Sequence, residues 1–439
     1  MVSRKVDVAQ VLLWGHRIGA VYWDAAENVA AFEYEPDFQE SGIEVAPLTM
    51  PLSPRIYRFP SLSGTSFQGL PGLLADSLPD DFGNAIIDQW LVREGRDVAD
   101  FSPVERLCYI GQRGTGALEF RPATRRAPRG SVALEIGSLV DLAQDVLSRR
   151  DGLQVQMHDD GKALDDILRV GTSAGGARAK AVVAWNPDND ELRSGQVRAP
   201  RGFQYWLLKF DGVANGGHGL RDPQGYGKIE YAYHRMALAA GLEMMPCRLL
   251  QENGRSHFMT LRFDRHPDGE KIHMQSLFAM SHLDNQLPGA HSYEQALQVI
   301  RQLDLPPESL QEQYRRMVFN VVARNQDDHT KNIAFLMEKS GEWRLAPAFD
   351  VIYAFNPSGD WTSRHQMTIN GLRDEFALQD LLQVAARFDI EAPQRIIDEV
   401  EQAVADWFEF AKSAGISANV TAGIAKMHRF FRSGIPVRR

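Results

Sequence analysis

The hydrophobic pattern of this chain changes type along its length, and this change limits the folds that it can adopt. Before about residue 265, short apolar runs between Gly, Asp and Pro predict β-strands, as in VDVAQVLLW, IGAVYW, NVAAFEY and RIYRF. From Ser292 onward, apolar residues recur with helical spacing in nearly every segment. The sequence therefore predicts an α+β, two-lobed fold with a β-rich amino-terminal subdomain and an α-helical carboxyl-terminal lobe.

Local signals mark several element boundaries. Ser102 and Glu105 form a capping-box pattern around the start of a helix, and Gly241 stands where a helix-ending glycine is expected. The basic, Pro- and Gly-rich stretch Arg121–Gly130 indicates a domain boundary, so we predict domains at 1–125, 126–265 and 266–439. We further predict helices at Val132–Arg149 and Gly227–Ala240 and in SYEQALQVIRQL, PESLQEQYRRMVFNVVARN, LQDLLQVAARF and QRIIDEVEQAVADWFEFAKSAG, with two short β-like pieces in 333–355.

Composition excludes several classes of protein. The net charge of −9 over 439 residues contains no long like-charge block, which argues against an autonomous nucleic-acid binder. No stretch approaches the roughly 20 apolar residues of a membrane helix, and the amino terminus does not resemble a signal peptide. Cys108 and Cys247 both lie in apolar surroundings, so we expect buried free thiols and a cytoplasmic location.

The octapeptide NQDDHTKN, Asn325–Asn332, has the composition of a catalytic loop for phosphoryl transfer. Asp327 and Asn332 have the same spacing as the Asp and Asn of the protein-kinase loop H-R-D-x-x-x-x-N. Asp327 could accept a hydroxyl proton, Lys331 could steady the transferred phosphoryl group, and His329 could contact the nucleotide or brace the loop. Asp350, in LAPAFDVIYAF, stands at the end of a β-like stretch, as the metal-binding DFG aspartate does in protein kinases.

Two further segments could supply the phosphate-binding groups. GTSAGGARAK, Gly171–Lys180, combines glycines with cations and could cover the phosphates, although a flexible surface loop has the same composition. Lys209 ends an apolar strand-like run and could hold the phosphates, or it could reach solvent at the strand end. Glu230 is a possible ion-pair partner for Lys209, or a solvated residue on a helix face.

Taken together, these segments resemble the HipA family of toxin kinases from HipBA toxin–antitoxin modules. The resemblance is carried by SAGGARAK, NQDDHTKN and LAPAFDVIYAF, and also by LLADSLPDDFGN and IGQRGTGALEF near the amino terminus. It implies a serine/threonine protein kinase that uses ATP and Mg²⁺, with a fold like the phosphatidylinositol 3/4-kinases. It also implies a HipB-like helix-turn-helix antitoxin as partner, operator DNA only within the antitoxin complex, and a protein substrate such as an aminoacyl-tRNA synthetase.

The resemblance assigns roles to individual residues. Asp327 would be the proton acceptor, Asn332 and Asp350 would bind Mg²⁺, and Lys209 would contact the phosphates. Ser173, beside Thr172, would be autophosphorylated and so inactivate the enzyme. The ATP loop would be Gly175, Gly176, Ala177, Arg178, Ala179 and Lys180, and the nucleotide would also contact His329, Leu261, Arg262 and Phe263.

Three departures and two alternatives bear on this interpretation. Leu261 replaces a polar residue of the family, and Thr172 beside Ser173 is a second candidate for the autophosphorylated residue. Asp328 stands where the family commonly has a small residue, so it could alter how metal or substrate is handled. Clustered acids and His329 also suit a metal-dependent phosphoesterase or nuclease, although that reading leaves Lys209 and the glycine loop unexplained. The third reading is a catalytically inactive kinase fold that acts as a co-repressor with its antitoxin.

Overall fold

The structure is a computed structural model that describes residues 5–124, 133–148, 178–213 and 224–432. The chain divides into two compact units. The first unit comprises 1–227, 248–274 and 337–341, and the second comprises 228–247, 275–336 and 342–439. The three-domain division made from the sequence stays a prediction.

A four-stranded antiparallel sheet opens the first unit, with the strand order β3-β2-β1-β4. Val11, Val21 and Phe32 are fully buried, because the apolar side chains of these strands face the core. The segment RIYRF, predicted as a strand, forms only an isolated bridge between Tyr57 and Phe32. The strands are β1 Val8–Leu13, β2 His16–Asp24, β3 Val29–Tyr34 and β4 Leu118–Arg121.

One described helix of the first unit begins at the local signal that the sequence predicts. The capping box of α4 is confirmed, because the Ser102 hydroxyl accepts from the Glu105 N–H at 3.2 Å while Glu105 Oε2 accepts from the Ser102 N–H at 3.2 Å. These helices are α1 Pro36–Gln39, α2 Gly72–Ala75, α3 Asp81–Arg93, α4 Pro103–Ile110 and α5 Ile136–Ser148, with a 3₁₀ turn at Val98–Asp100.

A five-stranded sheet in the first unit, ordered β6-β5-β7-β9-β8, carries the segments around Lys180 and Lys209. Its strands are β5 Lys180–Trp185, β6 Leu192–Ser194, β7 Gln204–Lys209, β8 Cys247–Glu252 and β9 Arg255–Leu261. Ile86 of α3 and Val140 of α5 share a buried cluster with Val183, Leu208 and Met259 of the sheet. This packing of helices against the sheet fixes the positions of β5, which begins with Lys180, and β7, which ends with Lys209.

The second unit is built around the buried helix α9, whose Tyr314 hydroxyl donates to the Leu381 carbonyl at 3.1 Å. Gly241 follows α6 with φ of +82°, as predicted for a helix-ending glycine. The helices that lie mainly in this unit are α6 Tyr226–Ala239, α7 Leu277–Ser281, α8 Tyr293–Gln302, α9 Pro307–Val322, α10 Leu378–Arg387, α11 Pro393–Ala405, α12 Trp407–Ser413 and α13 Ala418–Ala425.

Two details of the second unit differ from simple expectation. The segment predicted as one helix, QRIIDEVEQAVADWFEFAKSAG, is split at Asp406 into α11 and α12. The break lets Trp407 become fully buried, where its indole N–H donates to the Thr421 carbonyl at 3.0 Å. The lobe is also not purely helical, since a small sheet ordered β10-β11-β12 is formed by β10 His273–Ser276, β11 Ala334–Met337 and β12 Trp343–Leu345.

Both cysteines are free thiols, as predicted from their number and surroundings. Cys108 is fully buried, and burial raises the pKa of its thiol to about 12. Cys247 is only partly buried. Among the described residues, no helix has the length and apolarity required to cross a bilayer.

Candidate catalytic site

The octapeptide Asn325–Asn332 forms a fixed loop directly after α9. The loop begins after Arg324, whose φ of +58° turns the chain away from the helix axis. The Gln326 N–H then donates to the Ala354 carbonyl at 3.0 Å, and the loop closes with a 3₁₀ turn at Thr330–Asn332. These bonds also bring the segment that follows Asp350 alongside the loop.

Asp327 presents a partly exposed carboxylate at the start of this loop. Its side chain is 43% exposed, and its Oδ1 accepts a hydrogen bond from the indole N–H of Trp361 at 2.6 Å. The Asp327 carbonyl accepts from the Asn332 amide at 2.8 Å, which fixes the two ends of the loop to each other. This geometry leaves a held, solvent-accessible carboxylate that can accept a proton.

Asp328 has the opposite environment, although it is the next residue. It is buried, and its carboxylate receives the Tyr293 hydroxyl at 2.8 Å, His365 Nδ1 at 2.7 Å and the Gln366 N–H at 2.8 Å. Burial, followed by the charge of Asp328, raises the pKa of Tyr293 well above its usual value. Because both oxygens are occupied, this geometry favours a structural role for Asp328 over the metal or substrate contact considered from the sequence.

Asn332 and Asp350 line one depression of about 400 Å³, measured together with the solvent-open space above it. Asp350 adopts φ of +56°, a left-handed conformation that Asp tolerates better than most residues. The Asn332 amide nitrogen donates to Asp327, so its Oδ1 remains an acceptor. Amide and carboxylate oxygens are hard ligands of the kind that Mg²⁺ prefers, so these two residue types fit this ion.

His329 and Lys331 complete the described part of the loop. The His329 Nε2 lies 3.9 Å from Asp327 Oδ1, while its buried Nδ1 has no hydrogen-bond partner in the described part of the chain. The Lys331 ammonium lies 4.4 Å from the centroid of the Phe278 ring. This cation–π contact holds the Lys331 side chain against the ring.

Within the first unit, Lys180 and Lys209 are directly opposite each other on the antiparallel strands β5 and β7. Directly opposite residues project from the same face of a sheet, and both lysines are buried. Asp80, the N-cap of α3, places its Oδ2 3.3 Å from the Lys180 ammonium. Two cations on one face of the sheet are consistent with a role of both lysines in binding phosphate.

The remaining nucleotide-loop residues are only partly described. The Arg178 guanidinium lies over the Tyr226 ring at 4.2 Å, and the buried Ala179 offers its carbonyl to the Phe210 N–H at 3.1 Å. The residues assigned to the autophosphorylation site and the glycines of the ATP loop lie outside the described residues, namely Thr172, Ser173, Gly175, Gly176 and Ala177.

The segment Leu261–Phe263, which the resemblance places against the nucleotide, has a mainly structural Arg262. The Arg262 guanidinium makes two hydrogen bonds to Asp264, at 2.8 and 2.7 Å. The backbone N–H of Arg262 donates to the Tyr205 carbonyl at 2.9 Å. Any contact of this segment with a base must therefore use the backbone or Leu261 and Phe263.

Sequence reasoning missed the residues that support the candidate catalytic groups. Asp80 belongs to the segment LLADSLPDDFGN, but no local signal connects it with Lys180. Trp361 lies 34 residues after Asp327 in a loop without a motif. The described ranges contain no cluster of three or more His, Cys, Asp or Glu residues able to hold a metal.

Two family models match the chain. The HipA-like C-terminal domain matches residues 172–408, and the HipA N-terminal domain matches residues 9–121. Among curated proteins, "Putative kinase Y4mE" of Sinorhizobium fredii (strain NBRC 101917 / NGR234) is 26% identical over 127 residues, which are 27% of this chain and 30% of that protein. The chain thus matches under two thirds of that relative's length.

Solved structures add information on the fold alone. A chain from the Shewanella oneidensis MR-1 toxin–antitoxin complex of HipA, HipB and operator DNA aligns with a TM-score of 0.62 and 16% identity, covering 95% of this chain and 94% of that chain. The Helicobacter pylori proinflammatory kinase CtkA aligns with a TM-score of 0.33 and 14% identity, covering 57% of this chain and 94% of that chain.

Proposed function

The chain belongs to the HipA family, and we propose that it is an ATP-dependent serine/threonine protein kinase that acts as the toxin of a HipBA-like module. The observation that carries the kinase activity is the environment of Asp327. Its carboxylate is held by Trp361 but stays 43% exposed. Other residues of the same loop, His329 and Asn332, line a depression together with Asp350. Catalysis of phosphoryl transfer depends mainly on such positioning and on charge neutralisation.

In this proposal Asp327 accepts the proton of a serine or threonine hydroxyl. The hydroxyl oxygen forms a bond to the γ-phosphorus, the bond from that phosphorus to the β,γ-bridging oxygen breaks, and ADP leaves. Asn332 and Asp350 would hold Mg²⁺, which neutralises charge on the phosphates when bound. Lys209 and the loop ending at Lys180 would bind the phosphates, and the Lys331 cation would steady the transferred group.

We propose the regulation and partners on the basis of the family. Phosphate on Ser173 would add about −1.5 to −2 charges beside the nucleotide phosphates, so autophosphorylation would weaken ATP binding. An aminoacyl-tRNA synthetase is the proposed class of substrate. The structurally similar complex from Shewanella oneidensis contains HipB and operator DNA, which supports a HipB-like antitoxin and operator binding within that complex.

The test compares the wild-type protein with Asp327→Asn in labelled ATP·Mg²⁺ and a cell lysate. The variant keeps the side-chain shape but removes the proton acceptor, so we expect transfer to fall by about 10²- to 10⁴-fold with an unchanged melting temperature. The variant should bind ATP more tightly than phosphorylated wild-type protein, because it would lack the phosphate on Ser173. Asp360→Asn is the matched control, because Asp360 is exposed near Trp361, and it should retain wild-type transfer.

Mass spectra of the same preparations test the regulatory part. Ser173 should carry phosphate in the wild-type protein and in Asp360→Asn, but not in Asp327→Asn. Wild-type turnover by Asp327→Asn would refute the role of Asp327. Nucleotide binding by the wild-type protein without any transfer would instead identify the inactive co-repressor.

A further inference from the structure

Trp361 makes a direct contact with the candidate proton acceptor. Its indole N–H donates to Asp327 Oδ1 at 2.6 Å, and its ring lies 6.4 Å from the His329 ring, between centroids. An indole N–H is a donor only and cannot take a proton from a substrate. Its bond to a carboxylate therefore occupies one oxygen and leaves the other available.

The segment that carries Trp361 is itself anchored by the neighbouring aspartate. His365 Nδ1 and the Gln366 N–H both bond to the buried carboxylate of Asp328. The Gln366 side-chain amide donates back to the Trp361 carbonyl. The adjacent residues Asp327 and Asp328 thus bind one segment at two points, one exposed and one buried.

This arrangement restricts a side chain that is otherwise free to rotate. The terminal torsion of an aspartate is broad and roughly two-fold, so an unheld carboxylate would present either oxygen in many orientations. Asn320 and Tyr293 extend the anchor behind Asp328, with the Asn320 amide donating to the Tyr293 hydroxyl at 2.9 Å. The orientation of Asp327 is therefore set by a buried hydrogen-bond network.

We propose that Trp361 is a positioning residue for phosphoryl transfer, which holds Asp327 Oδ1 so that Oδ2 faces the acceptor hydroxyl. The inference rests on the proposed kinase function and adds a residue that the catalytic motif does not contain. Trp361 acts through Asp327 and does not touch the reacting phosphoryl group. Loss of its N–H should lower kcat and leave the KM for ATP unchanged.

Trp361→Phe tests the proposal, because it removes the N–H and keeps an aromatic ring. Trp185→Phe is the matched control, since Trp185 also donates its indole N–H to an aspartate, Asp190, at 2.9 Å. We expect Trp361→Phe to lower kcat by about 10- to 100-fold with unchanged KM for ATP and melting temperature. Trp185→Phe should stay within about twofold of the wild type.

An NMR measurement tests the contact without relying on catalysis. In ¹⁵N-tryptophan-labelled protein, the indole resonance of Trp361 is the one absent from Trp361→Phe. The chemical shift of this resonance should change in Asp327→Ala and remain unchanged in Asp360→Asn. An unmoved resonance, or wild-type kcat in Trp361→Phe, overturns the inference alone, whereas a wild-type protein that transfers no phosphate refutes the proposed function and the inference with it.

Discussion

Two buried aspartates of the first unit, Asp264 and Asp80, are both close to candidate nucleotide residues but differ in their partners. The Asp264 carboxylate receives the Arg262 and Arg265 guanidinium groups at 2.7–2.8 Å and the Gly116 N–H at 2.7 Å. Asp80 Oδ1 receives the Gly83 N–H at 2.7 Å. Its Oδ2 lies 3.3 Å from the Lys180 ammonium and has no further partner within the described ranges.

The pKa shifts of the two carboxyls follow this difference in partners. Burial by itself would raise the pKa of Asp264, but the charges of Arg262 and Arg265 hold it well below its ordinary value of 3.8. Burial raises the pKa of Asp80 above 3.8, because the Lys180 charge and the Gly83 N–H offset only part of the desolvation. A fully satisfied carboxylate stabilises the fold, whereas an incompletely satisfied one beside a lysine suits a site that must bind a ligand.

The largest effect on stability should come from Asp264→Asn. The substitution leaves two buried arginines without their common counter-charge, so we expect a loss of about 3–5 kcal/mol in unfolding free energy. Chemical denaturation at pH 7 measures it. Asp268→Asn, an exposed change in the same turn, should cost below about 0.5 kcal/mol. Equal stabilities for the two variants would show that the arginine cluster is not structural.

A smaller stability effect but a clear effect on function is expected for Asp80→Asn. The amide can still accept from the Gly83 N–H, so the unfolding free energy should fall by only about 1 kcal/mol. The Lys180 ammonium loses the carboxylate that holds it in position, so ATP affinity measured by calorimetry should weaken about tenfold. Asp81→Asn, on the exposed first turn of α3, is the control. A loss of stability as large as that of Asp264→Asn would remove the contrast.

The smallest effects should appear in the pH dependence of stability, with opposite signs. Asp80 binds its proton more tightly in the folded state, so its contribution falls as pH rises from 3.8 through the raised pKa. Asp264 binds its proton less tightly when folded, so its contribution is present above 3.8 and is lost as pH falls towards the lowered pKa.

The pH dependence can be measured from the unfolding free energies of the wild type and both Asn variants between pH 3 and 7. This range spans the ordinary Asp pKa of about 3.9. As pH rises, the wild-type advantage over Asp264→Asn should grow, and its advantage over Asp80→Asn should shrink. Slopes of the same sign would mean that the two carboxyls have equivalent environments.

Elements whose signals lie within a few residues could be predicted from the sequence. The capping box of α4 needs only Ser102 and Glu105, and the end of α6 needs only Gly241, so both are confirmed. The strands β1 to β3 follow from alternation between turn residues. The catalytic-loop motif and Asp350 were also recognisable, because their spacing is local; their catalytic roles stay predictions.

Tertiary structure alone decided which groups hold the candidate site. The bonds of Trp361 to Asp327, of Tyr293 and His365 to Asp328, and of Asp80 to Lys180 join residues far apart in sequence. Neither periodicity nor capping encodes such pairs, because each bond forms only after separate elements pack and exclude water from the polar groups between them. For the same reason Asp327 and Asp328, identical neighbours in the sequence, became one exposed carboxylate and one buried anchor.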